Sequence, residues 1–171
     1  VDILETLSTD SVLINEFKPE ILTAFCAAEI RALAALKASL PDTEVLGVTV
    51  LTSLDEENAQ HTYRGAVAEV VMRFAQMALE AKLDGLISSP MEAAKLRKVF
   101  GAALTINTPG IRPAWAQVSG DDQNRDRVMT PADAIKAGAD RIVVGWPILG
   151  DKNHYDAVMR IIEEIDEAKA E

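Results

Sequence analysis

The residues best placed to do chemistry lie between Thr108 and Pro147. Thr108-Pro109-Gly110-Ile111-Arg112 is followed by Asp121-Asp122-Gln123, then Arg127-Val128-Met129-Thr130-Pro131, then Asp140-Arg141-Ile142-Val143-Val144-Gly145-Trp146-Pro147. Proline fixes φ and glycine accepts backbone angles that other residues avoid, so Thr108-Pro109-Gly110 ends a strand and turns the chain. Arg112 comes directly after the turn. That places a planar guanidinium fork at the carboxyl end of a strand, where α/β folds keep their ligands. Gly145 closes a second short apolar run. Two consecutive strand ends, each with a loop able to hold an anion, point to a phosphorylated small molecule. Taken alone, Arg112 reads equally well as a solvated loop arginine, and its neighbouring motifs single it out.

Those loops need elements to hold them. Ala103 to Asn107 is apolar and β-branched, as a short strand requires. Thr130, Pro131 and Asp133 supply a helix cap, a proline at the first helical position and an acid in the first turn. Gly138 ends that helix, and Arg141 to Val144 is again strand-like. Strand, loop, capped helix and strand make one βα repeat with a parallel crossover.

At this point the segment from about Val45 to Gly150 resembles the carboxyl-terminal half of the orotidine 5′-phosphate decarboxylase family, the lyases that make UMP in pyrimidine biosynthesis. The Thr108-to-Pro113 stretch carries the resemblance. Val50 to Leu54 (Val-Leu-Thr-Ser-Leu), Asp84 to Pro90 (Asp-Gly-Leu-Ile-Ser-Ser-Pro) and Met129 to Ile135 (Met-Thr-Pro-Ala-Asp-Ala-Ile) agree with it in order. The resemblance implies a (β/α)₈ barrel of the ribulose-phosphate-binding type. Glu20–Phe25 resembles the fourth strand, Glu44–Thr52 the fifth, Leu83–Ser89 the sixth, Ala103–Thr108 the seventh and Arg141–Gly145 the eighth.

Helices are expected between them at Ala27–Ser39, Gly65–Lys82, Met91–Val99 and Pro131–Ala137, with a last one at His154–Ala170. Helical spacing is clearest in Val67, Val70, Val71, Phe74, Met77, Ala78 and Ala81. Val1 to Lys18 reads either as one helix or as a short helix and an extra strand. A full barrel needs about 250 residues, and this chain has 171. The expected fold is a partial TIM barrel, one truncated domain over residues 1–171, with about five parallel strands alternating with helices. An open doubly wound sheet is the alternative. The missing initiator Met suggests a fragment or a processed form.

By the resemblance, Ser53 hydrogen-bonds a pyrimidine ring, while Thr52-Ser53-Leu54-Asp55 also reads as an ordinary helix cap. Pro90 lines the pocket, and Arg112 and Gln123 bind phosphate together with backbone N–H groups. The family's remaining phosphate ligand is the arginine of Val-Gly-Arg-Pro. Here Val144-Gly145-Trp146-Pro147 puts tryptophan there. A charge-assisted hydrogen bond contributes roughly 1.5–3 kcal/mol, so its loss weakens phosphate binding roughly tenfold to a hundredfold. The family runs Asp-Gln-x-Arg-Val, and the loop here is two residues longer at Gln123-Asn124-Arg125-Asp126-Arg127-Val128. Arg125 reads either as a replacement for the lost arginine or as an exposed loop residue.

The family's catalytic array, Asp-x-Lys-x-x-Asp, works without metal or cofactor, and it does not occur in this sequence. No residue here is therefore assigned a catalytic role. Asp151-Lys152 is wrongly placed, and Lys37 reads as a solvated helix-face residue. The expected alternatives are an enzyme of this family and a non-catalytic half-barrel that binds a nucleotide or sugar phosphate.

A net charge of −10, with Lys and Arg scattered along helices, gives no stripe for nucleic acid and no polybasic membrane patch. No apolar run approaches the roughly 18 residues of a membrane span. Cys26, the single cysteine, reads as a small buried hydrophobe, and a reducing cytoplasm is the expected setting. Hydrophobic residues make up 49% of the chain, enough for a core. A partial barrel leaves two sheet edges and an apolar interior open, which points to self-association, and the resemblance independently implies a homodimer.

Overall fold

The computed structural model describes residues 4–116 and 127–170. Five strands form one sheet: β1 (Ile21–Phe25), β2 (Glu44–Val48), β3 (Gly85–Ile87), β4 (Thr105–Thr108) and β5 (Arg141–Ile142). All pair in parallel, and their spatial order is their order in the chain. In a doubly wound sheet the strand order reverses at a switch point. Here it never does, so the arrangement is a segment of a (β/α) barrel. The helices are α1 (Leu4–Phe17), α2 (Ile30–Ser39), α3 (Glu56–Tyr63), α4 (Val67–Glu80), α5 (Pro90–Phe100), α6 (Pro131–Lys136), α7 (Trp146–Leu149) and α8 (His154–Ala170).

The two faces of the sheet differ because strand side chains alternate. Val45 and Leu86 and Ile106 point outward, into one cluster with Leu33 and Leu36 of α2, Val70 and Phe74 of α4, and Leu96 of α5. Gly47 lies on the same side, where a Cβ would come 2.5 Å from Cys26 Sγ and 3.3 Å from Ala78 Cβ. Its missing side chain lets α4 approach the sheet. The opposite face carries a polar chain: Glu44 accepts from Thr105 Oγ1 at 3.1 Å and from Arg141 Nη1 at 2.8 Å. Ile21, Phe25 and Val143 on that side are 46%, 50% and 51% exposed.

The amino edge repeats one device. Asp84 and Asp140 each stand just before a strand and accept an amide of the preceding one, Val45 N–H and Ile106 N–H respectively, both at 2.7 Å. A helix cation completes each: Lys37 Nζ of α2 lies 2.7 Å from Asp84, and Arg97 of α5 pairs with Asp140. The solvated reading of Lys37 is thus corrected, because its half-buried side chain also donates to Thr43 O. This edge fastens strands and lies opposite the loops of interest.

Among the described residues, the open question at the amino end resolves to the single helix α1, packed on α2. Strand limits are narrower than the apolar runs suggested. β5 is an edge strand of two residues, and β2 ends at Val48, with Thr49 N–H making a last bond to Ile87 O at 3.0 Å. Two helices were not expected. α3 is capped by Asp55, whose side chain accepts from Asn58 N–H at 2.8 Å, and buries only Ala59, so its sequence shows no apolar stripe. α7 is a single turn.

Candidate anion-binding site at the carboxyl edge

Because every strand runs the same way, the loops after β2, β3, β4 and β5 share one edge. Beyond β4 the chain turns at Gly110, whose φ of +76° and whose hypothetical Cβ, 3.0 Å from Arg127 O, both require glycine. Ile111 is fully buried against Ala134 and Ala139 in a small core beneath α6. It bridges to Met129, Arg112 N–H donates to Met129 O at 2.8 Å, and Met129 N–H donates to Gly110 O at 3.2 Å. The segment between Arg112 and Met129 therefore leaves and returns through one closed stem. Arg112 is half-buried, with Nη1 donating to Ile111 O at 2.9 Å. Arg160 of α8 stacks on Trp115 just after the stem, its guanidinium carbon 3.8 Å from the ring centroid.

The other loops converge on this stem. Thr52, buried after β2, would lie 3.7 Å from a Cβ on Gly110, and the adjacent Ser53 is exposed. The helix cap in that run is Asp55. After β3, Ser89 caps α5 and donates to Arg127 O at 3.0 Å, and Pro90 is buried as the first helical residue. After β5, Val143 N–H reaches Thr108 O at 2.9 Å, which sets Gly145 beside the end of β4. Gly145 caps α7, and Trp146 opens it, 56% exposed, with its ring folded toward Gly150. Thr130 caps α6 as the sequence predicted, accepting from Asp133 N–H. Gln123 and Arg125 lie outside the described residues.

Arg127 was not singled out by sequence reasoning, although it is the arginine next to the valine that ends the recognisable Gln-to-Val motif. It is 5% exposed, and its Nη2 donates to both carboxylate oxygens of Glu92 on α5, at 3.0 and 3.1 Å. Nε and Nη1 are buried without hydrogen-bond partners, as is Thr108 Oγ1. Burial pushes the Glu92 carboxyl above its ordinary value, while Arg127 and hydrogen bonds from Ser88 and Ser89 pull it down. Beside the pair, a cleft of about 540 Å³ opens between α3, α4 and α5, lined by residues including Asp55, Val71, Met91 and Lys95. Among the described residues no group of His, Cys, Asp and Glu is suited to a metal ion, and no helix is long and apolar enough to cross a membrane.

Fold and edge together define a (β/α)-barrel segment whose loops gather at the carboxyl ends of its strands. Residues 6–161 match the model of the Orotidine 5′-phosphate decarboxylase / HUMPS family. A protein of Geobacter sp. (strain M21) named orotidine 5′-phosphate decarboxylase is 42% identical over 73% of this chain and 51% of its own length. One of that name from Nitrobacter winogradskyi is 38% identical over 98% of this chain and 68% of its own. The crystal structure of orotidine 5′-phosphate decarboxylase from Lactobacillus acidophilus superposes with a TM-score of 0.79 at 27% identity, over 96% of this chain and 71% of that one. The chain belongs to the orotidine 5′-phosphate decarboxylase family, and it spans about half to two thirds of the length of such relatives.

Proposed function

We propose that this chain is the substrate-gripping part of an orotidine 5′-phosphate decarboxylase and binds a nucleotide of the UMP class. The observation that carries the reading is the closed stem holding Arg112 at the carboxyl end of β4, beside the Gly145 loop of β5. In this role Arg112, Gln123 and the Gly145 backbone hold the phosphate, Ser53 meets the pyrimidine, and Pro90 shapes the wall. The relatives' name supplies the reaction, conversion of orotidine 5′-phosphate to UMP. No Asp-x-Lys-x-x-Asp array occurs among these 171 residues, so the chain on its own is expected to bind and not to turn over.

Titrating the chain with UMP, with uridine as the control, tests the binding. Heat for UMP beyond that for uridine is expected, and equal heats would overturn the phosphate reading. Loss of substrate absorbance on adding orotidine 5′-phosphate would instead show a complete enzyme. We further propose that the chain works as a homodimer. The support is its exposed apolar interior at Ile21, Phe25 and Val143 together with two parallel edges.

A further inference from the structure

The loop between β4 and α6 is fastened at both ends, to different helices. Upstream, Trp115 lies under Arg160 of α8. Downstream, Arg127 is held by Glu92 and Ser89, at the start of α5. The downstream fastening is odd as a stability device. A guanidinium engaging a carboxylate for strength presents two nitrogens to two oxygens. Here one nitrogen serves both oxygens, while Nε and Nη1 are buried without partners. Burying an ion pair often stabilises no better than apolar residues of the same volume would, and each unmatched donor makes the balance worse. What the arrangement supplies is position. Arg127 O lies 3.0 Å from where a Cβ on Gly110 would be, and Met129, two residues on, bonds both Gly110 and Arg112.

We infer that Glu92 and Arg127 are positioning residues of the phosphate site: the pair docks the returning end of the loop on α5 and so sets where Arg112 stands. This rests on the phosphate reading proposed above. Neither side chain needs to touch the ligand.

Glu92→Gln keeps the shape and an acceptor for Arg127 while removing the charge, and Arg127→Lys keeps the charge while removing the fork. Calorimetry should show UMP bound at least tenfold more weakly by either variant, with uridine affinity within twofold of the parent. Amide hydrogen exchange at Arg112 and Met129 should quicken at least tenfold, while Val45 and Leu86 in the sheet keep their protection. Equal weakening of UMP and uridine would reduce the pair to a general stabiliser and overturn the proposal, as would unchanged UMP affinity. If the parent itself does not prefer UMP over uridine, the phosphate reading fails. The exchange measurement then still decides: unchanged rates at Arg112 and Met129 sink the docking role, and quickened rates sustain it. Should Glu92→Gln not fold, Arg127→Lys carries the same measurements.

Discussion

Trp146 is where a single side chain has most leverage on the proposed ligand. It sits at the end of β5, half in solvent, and offers one N–H where a fork would offer several. Trp146→Arg should tighten UMP binding roughly tenfold to a hundredfold on calorimetry, matching one charge-assisted bond. No change would mean that the β5 loop is not a phosphate contact. Cys26 gives a prediction of another kind. Burial pushes its thiol from 9.0 up to about 12. The folded chain thus keeps a proton that the unfolded chain loses, so this group favours folding below about pH 9 and loses that advantage as pH rises toward 12. The slope approaches about 1.4 kcal/mol per pH unit. Urea midpoints at pH 8 and 10.5 should fall further for the parent than for Cys26→Ala.

Residue roles were legible where they depended on local chemistry. Thr130, Pro131 and Gly138 punctuate α6 as their types dictate, and Cys26 is buried. Lys37 was misread because its partner Asp84 arrives from another strand, and no helical spacing encodes that encounter. The Glu92–Arg127 pair escaped notice for the same reason.

Among the elements, the contact between α4 and β2 depends most on one atom's absence. Gly47→Ala would press a methyl against Cys26 Sγ, Leu83 and Ala78, and overpacking of this kind costs about 1–3 kcal/mol. Chemical denaturation should show that loss with the slope unchanged. Truncating Leu96, which is fully buried between α5 and the sheet, should cost about 2–5 kcal/mol as Leu96→Ala. The α4 helix was readable because six of its residues are buried at helical spacing. α3 was not, since a helix that buries only Ala59 carries no periodic signal and is announced by Asp55 alone. Strand ends were read too long because apolar runs continue past the last ladder bond into buried loop residues such as Val50.

For the whole molecule, the alternation of strands and helices gave the parallel α/β class, the resemblance gave the barrel, and the unreversed strand order decides for it against the open doubly wound sheet. Ile21 and Phe25 lie exposed on the inner face of the edge strand β1, the face that also carries the Glu44–Arg141 pair. Replacing both with threonine keeps β propensity and removes apolar surface. Sedimentation at rising concentration should show the parent associating and this double variant shifted toward monomer. Equal behaviour would place any self-contact elsewhere.

The strand order has a consequence for how the protein is made. From β2 onward, each strand pairs with the one synthesised just before it. As the chain leaves the ribosome, amino end first, α1, α2, β1 and β2 can assemble before β5 has been translated. Glu92 is likewise in place before Arg127 is made. The loops after β4 and β5 are thus added to a sheet already begun.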